Sequence, residues 1–117
     1  MSVASTMKIG ALAPWFGGKR TLAPAIVREL GPHRKYDEPC CGSCAVLFAK
    51  EVATCETIND LHGDLINLAR AVQIEDTAVE LYARLSRLLM HETVFHEAAL
   101  RWKERGHCPA SEEPDLD

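Results

Sequence analysis

Three of the chain's five cysteines, Cys40, Cys41 and Cys44, crowd into the stretch YDEPCCGSCAVLF. Three chemistries fit such a stretch. Cys41 and Cys44 have the C-x-x-C spacing of two tetrahedral zinc ligands. A closed site needs two more ligands, and Cys55, His62, His107 and Cys108 form no second knuckle at the usual spacing. A C-x-x-C pair at a helix start also suits a redox thiol, because the helix N-terminus favours the thiolate. Here Gly-Ser separates the pair and Cys40 crowds it, without the aromatic and proline-rich surround usual for redox pairs. The third chemistry looks past the sulfurs. A strand, an acidic residue, a proline, a glycine-bearing turn and a helix are how α/β enzymes build a nucleotide-like cofactor site. Such a site takes a carboxylate at the end of the next strand to accept hydrogen bonds from ribose hydroxyls. Asp60 stands about eighteen residues after Gly42, close to the spacing required. Alone, Asp60 in NDLHGD reads as a turn or helix-capping residue; its distance from Gly42 gives it the functional reading.

The elements that must position these residues follow from periodicity. TLAPAIVREL reads as a helix, with Leu22, Ile26, Val27 and Leu30 at helical spacing, Pro24 in the first turn and Gly31 at the stop. KYDEP is a short strand ending at Pro39, and AVLFAKEVA is apolar enough for a buried helix. TCETIND is a second strand ending in Asp60. GDLINLARAV is an amphipathic helix with Leu65, Leu68, Ala69 and Val72 on one face. Helical pattern continues over 77–105 in a stripe that includes Leu81, Leu85, Leu88, Phe95 and Trp102, broken near His91 to Thr93. Alternating strands and helices predict an α/β unit with a parallel sheet, incomplete at two strands. The expected organisation is a lead-in over 1–13, a cofactor-binding part over 14–75, a helical segment over 76–105 and a polar tail over 106–117.

Bulk properties bound the function. The 117 residues, 47% hydrophobic and 26% charged, suit one small domain or part of a larger one. Net charge is −4, whereas a protein whose main task is to coat nucleic acid is usually basic. Nucleic-acid contact would therefore be local or supplied by residues outside this chain, and Lys19, Arg20, Arg28, His33, Arg34 and Lys35 do gather in the first third. No run is long and apolar enough to span a membrane, and the N-terminus lacks a signal-peptide pattern. Clustered cysteines, odd in number, fit free thiols in a reducing, cytoplasmic setting.

Three segments, PWFGGK, DEPCCGSCAVLF and INDLHGDLINLAR, resemble in order and spacing the N-terminal part of the Dam-like (D12 class) adenine-N6-specific DNA methyltransferases. That family shows Trp-x-Gly-Gly-Lys, then Glu-Pro-Phe-x-Gly-x-Gly, then Asn-Asp-x-x-x-Asp-Leu, and the resemblance covers about residues 14–73. It implies a Rossmann-like, S-adenosyl-L-methionine-dependent fold acting on double-stranded DNA, in DNA methylation of the restriction–modification kind. Trp15 and Lys19 match positions that close over the cofactor, the lysine near its carboxylate end or the adjoining catalytic pocket, with Gly17 and Gly18 letting the backbone approach. Glu38, Pro39, Gly42 and Ser43 match the cofactor loop, and Asp60 the ribose-binding carboxylate. Asp64 matches a second acidic position, for which a helix N-cap is the expected role. Lys19 is not a P-loop lysine, because Ala13 and Arg20 stand where that motif needs Gly and Ser or Thr. Without its Gly-Gly-Lys neighbour, Trp15 would read as an ordinary aromatic. Three positions depart from the pattern: Cys40 replaces Phe, Cys44 replaces a frequent Gly, and Asp37 replaces an apolar strand residue.

In the family, methyl transfer to the adenine amine falls to an Asp-Pro-Pro-Tyr loop. Here no two of the six prolines are adjacent, so the loop is absent. The expectation is an N-terminal fragment with most of a cofactor half-site, no catalytic residue of its own and no activity alone. Its partner would be a C-terminal half or a full-length enzyme. The competing readings are a non-catalytic S-adenosylmethionine-binding or docking remnant, and a small zinc module on Cys41 and Cys44.

Overall fold

A computed structural model describes residues 8–106 and Leu116. The element order is α1 (Ala23–Leu30), β1 (Lys35–Glu38), α2 (Ala45–Ala49), β2 (Cys55–Ile58), α3 (Gly63–Gln73), α4 (Glu75–Ser86) and α5 (Glu92–Arg105). The chain divides into two compact units, Met1–Asp60 and Leu61–Asp117.

The first unit is a β–α–β arrangement preceded by a helix. Pro24 fits the first turn of α1, where its missing N–H costs no helical hydrogen bond. Gly31 closes the helix, its N–H donating to Val27 O at 3.3 Å. β1 and β2 pair in parallel, with Lys35 opposite Cys55 and Glu38 opposite Ile58. The parallel pair expected from the alternation is therefore present among the described residues, and it has two strands. Along β1 burial alternates: Lys35 and Asp37 are exposed, Tyr36 and Glu38 buried. Asp37, odd as a strand residue, is accommodated because its side chain faces outward and pairs with Lys35 at 3.3 Å. The core gathers Ala23, Tyr36 and Val46, with Ile26, Val27 and Leu47 packed against them.

α2 is shorter than the apolar run AVLFAKEVA predicts. It stops at Ala49, and Lys50 turns extended at φ −87°, ψ 165°. The reason is electrostatic. The Lys50 side chain, 1% exposed, pairs with Glu56 and lies 4.5 Å from the Tyr36 ring centroid. It also donates to Glu51 O at 2.8 Å. Glu56 in turn accepts from the Ala53 N–H at 2.9 Å. A buried ammonium needs such partners, and continuing the helix would carry it away from them.

The second unit consists of three helices. α3 and α4 pack together across a sharp turn, where Thr77 Oγ1 donates to Ala71 O at 2.7 Å. His91 caps α5, its Nδ1 accepting from Thr93 N–H at 3.1 Å, so the expected break near 91–93 is the start of a new helix. The expected apolar faces are only partly buried. On α3, Leu65 is 4% exposed but Val72 is 41% exposed. No residue of α4 or α5 is buried, and Leu85, Leu88, Phe95 and Trp102 all lie on the surface. Residues 87–91, within the expected helical segment, are not helical, and the periodicity overstated what the two helices cover. Most of the expected polar tail lies outside the described residues. Among those described, no helix is long and apolar enough to cross a membrane.

Candidate cofactor site

The end of β1, the turn that follows it and the end of β2 converge with the WFGGK turn inside the first unit. Parallel pairing sets this up, because it brings the C-terminal ends of both strands to one edge. The ladder continues into the turn: Asn59 N–H donates to Glu38 O at 2.9 Å, and Cys41 N–H to Asn59 O at 2.8 Å. One residue further on, the Gly42 N–H donates to Asp60 Oδ2 at 2.8 Å. The Asn59 side-chain amide adds a bond to Pro39 O at 3.3 Å. The glycine turn and the strand-end carboxylate, separated in sequence, are thus joined directly.

Glu38 is 7% exposed and doubly engaged. Its Oε2 accepts from the Tyr36 hydroxyl at 2.7 Å, and its Oε1 pairs with Lys19 Nζ at 2.7 Å. Lys19 Nζ also donates to Cys40 O at 2.6 Å. The lysine reaches Glu38 because a tight turn precedes it, in which Gly18 N–H donates to Trp15 O at 3.1 Å. Gly17 holds φ 73°, a left-handed conformation that favours glycine. Gly18 is needed for space: a Cβ there would sit 3.0 Å from Trp15 O. A Cβ on Gly42 would lie 3.5 Å from the indole of Trp15, so the ring edge faces the loop glycine. Ser43 is 3% exposed, and its carbonyl accepts from Leu12 N–H at 2.9 Å.

Trp15, Gly18, Lys19, Glu38, Gly42, Ser43 and Asp60 are therefore brought together, with Gly17 shaping the turn and Pro39 held through its carbonyl. Asp64 is not a helix N-cap. His62 takes that position on α3, and Asp64 lies in the first turn. There its Oδ2 accepts from Trp102 Nε1 at 2.9 Å and its Oδ1 pairs with Arg105 at 3.3 Å, anchoring α5. Sequence reasoning missed Tyr36 and Asn59. Tyr36 was legible in principle, since positions two apart on a strand share a face and Glu38 was already a candidate.

Cys41 and Cys44 fill the interior beside the turn, whereas Cys40 and Cys55 are exposed. Cys41 and Cys44 are each 1% exposed and form no disulfide, and the Cys41 thiol donates to Gly42 O at 3.7 Å. Burial pushes both thiols up, Cys44 to about 12, with the neighbouring thiol and the Glu38 and Asp60 carboxylates adding to the effect at Cys44. Zinc ligation and thiol redox chemistry both need the thiolate. Among the described residues, no group of three or more His, Cys, Asp or Glu side chains could hold a metal ion. Cys44 also has the left-handed backbone φ 61°, ψ 27° immediately before α2. A cavity of about 610 Å³ lies elsewhere, on α5 beside Ala98, Arg101 and Trp102, and holds none of the candidate residues.

A strand end, a glycine turn tied to a carboxylate at the next strand's end, and an aromatic facing that turn stand together in the first unit. The family model of D12 class N6 adenine-specific DNA methyltransferases matches residues 15–105, and the chain belongs to that family. The match extends the resemblance through α4 and α5, beyond the three motifs. Family membership implies methyltransferase activity in DNA adenine methylation. No curated protein and no solved structure gives a significant match.

Proposed function

We propose that the first unit is the S-adenosyl-L-methionine-binding part of a Rossmann-like, site-specific adenine DNA methyltransferase, working in the reducing cytoplasm on double-stranded DNA. One observation carries the reading: the 2.8 Å hydrogen bond from Gly42 N–H to Asp60 Oδ2. It fixes the strand-end carboxylate against the glycine turn, at the edge where the ribose of a nucleotide-like cofactor belongs.

The residues present fit that cofactor. Trp15, 41% exposed and facing the loop glycine, offers a partly open aromatic surface. Asp60 supplies an acceptor for ribose hydroxyls. Glu38 and Lys19 place opposite charges side by side, matching the zwitterionic amino-acid end. When bound, the cofactor supplies an electrophilic methyl group on a sulfonium. The chain's own residues bind and orient it. Accepting the adenine amine and positioning it for attack needs further groups, and none of these 117 residues forms the Asp-Pro-Pro-Tyr loop. By themselves, therefore, these residues hold the cofactor without transferring its methyl.

Calorimetric titration with S-adenosyl-L-methionine is expected to show one site, weakened at least tenfold in Asp60→Ala. Incubation with labelled cofactor and adenine-containing duplex is expected to leave the DNA unlabelled. Adding a segment that carries the loop is expected to restore transfer. Clear labelling of DNA by the chain alone would refute the incomplete-enzyme reading, and equal binding by Asp60→Ala would refute the site.

A further inference from the structure

α4 meets α3 along one face and leaves another uncovered. Its partly buried residues are Thr77, Ala78 and Leu81, and Thr77 is bonded to Ala71 of α3. Half a turn round, Asp76, Val79, Ala83 and Arg87 follow one another at spacings of three, four and four, which sets them in one row along the helix. Val79 is 63% exposed, and Tyr82 beside it 74%. Among the described elements, none besides α3 packs against α4. Leu116 O meets the margin of the row, 3.4 Å from Arg84 Nη1.

The charges along this row are polarised. Glu75, Asp76 and Glu80 occupy the N-terminal half of the helix, and Arg84 and Arg87 its C-terminal end. Arg84 pairs within the helix to Glu80 at 3.0 Å. Asp76 and Arg87 are exposed, and their side chains have no hydrogen bond or ion pair among the described residues. At 1.5 Å per residue they stand about 16 Å apart along the axis, too far to meet each other. A second copy of the helix, turned end for end, presents Arg87 where the first presents Asp76, and Asp76 where the first presents Arg87. Both charges then find partners, the strip at Val79 and Tyr82 is covered, and the helix dipoles oppose. Parallel alignment would instead set like charges together at both ends.

We propose that α4 is a self-association surface, through which two copies of this chain pair antiparallel about a two-fold axis near Leu81 and Tyr82. Burial of the strip supplies the attraction, and the end charges fix the direction. A helix of 12 residues is about 18 Å long, so the contact falls short of the roughly 800 Å² per partner of a standard interface, and the dimer is reversible. Half association is expected at about 10–100 µM protein. The pairing is independent of the cofactor site, which lies in the first unit.

Sedimentation velocity across that concentration range, at low salt, tests it. Asp76→Arg and Arg87→Asp each bring like charges together at both ends of the antiparallel pair, and each is expected to weaken association about tenfold. The double variant, Asp76→Arg with Arg87→Asp, re-forms both pairs with reversed polarity and is expected to return to within about threefold of wild type. The sign separates this from a general charge effect. Asp76→Arg moves the net charge from −4 to −2, so non-specific self-association would tighten rather than weaken. Thermal unfolding confirms that each variant folds. Where one does not unfold cooperatively, Val79→Lys, an exposed change within the strip, replaces it and is expected to weaken association by at least about tenfold. A monomer across the whole range overturns the proposal and leaves the face to a different protein. Wild-type association that the single variants or Val79→Lys leave unchanged, or that the double variant fails to restore, overturns it equally.

Discussion

Cys44 carries a side chain at φ 61°, ψ 27°, a region that costs an L-residue roughly 1–2 kcal/mol and costs glycine little. The family pattern often places glycine there, so the backbone has kept a conformation that the side chain does not favour. The cost is separable from the packing of the buried sulfur by comparing two truncations. Cys44→Ala removes the sulfur and keeps the strain, whereas Cys44→Gly removes both. Cys44→Gly is expected to be more stable than Cys44→Ala by about 1 kcal/mol in urea unfolding, the reverse of the usual glycine penalty. The same residue gives a pH dependence. Its thiol and the Tyr36 phenol are both raised in the fold, chiefly by burial, the thiol from 9.0 to about 12. A group raised in the folded state stabilises fully below its unfolded pKa and loses that contribution as pH climbs through the folded value. The unfolding midpoint should therefore hold to about pH 9 and fall toward pH 12. Cys44→Ala should decline less steeply over that range.

At the scale of elements, the short helix α2 and its return to β2 depend on one buried ion pair. Lys50 has its side chain 1% exposed and Glu56 26% exposed, so removing one partner is not equivalent to removing the other. Glu56→Ala strands an ammonium against Tyr36 and is expected to cost about 2–3 kcal/mol. Lys50→Met leaves a carboxylate that still reaches water and the Ala53 N–H, and is expected to stay within about 1 kcal/mol of wild type. Denaturant unfolding of the two variants side by side checks the order; equal losses would contradict it. This pair also marks what the sequence could and could not reveal. The convergence of Pro39, Gly42 and Asp60 was legible because turn residues and strand ends punctuate the chain. The length of α2 was not, since AVLFAKEVA is uniformly compatible with helix until a tertiary partner claims Lys50. Asp64 misled for the same reason: an acidic residue near a helix start suggests a cap, and only the fold reveals Trp102 and Arg105 across from it.

For the molecule as a whole, the imbalance lies between the two units. The first builds a core around Ala23, Tyr36 and Val46 and a polar site with named partners on most groups. The second exposes Leu85 at 57%, Leu89 at 81%, Met90 at 96% and Phe95 at 70%. Helical periodicity placed Leu85 and Phe95 in a stripe because it reports which residues share a face, and it says nothing about what that face meets; Leu89 and Met90 lie between the helices. So much exposed apolar surface has a measurable consequence. The purified chain is expected to enhance the fluorescence of an apolar dye under native conditions and to elute earlier from a sizing column as concentration rises. Substituting Leu89 and Met90 with Lys is expected to reduce both effects without lowering the unfolding midpoint, because neither side chain is buried.

The left-handed turn at Cys44 also has a genetic reading. Each cysteine codon differs from a glycine codon by a single first-position base, so the residue with the strained backbone and the residue that would relax it are adjacent in mutational space. The fold therefore sits one nucleotide from a conformationally easier version of itself. In a mutagenised population screened only for solubility, glycine at position 44 should recur independently, and the frequency of its return would measure how much selection the turn still experiences.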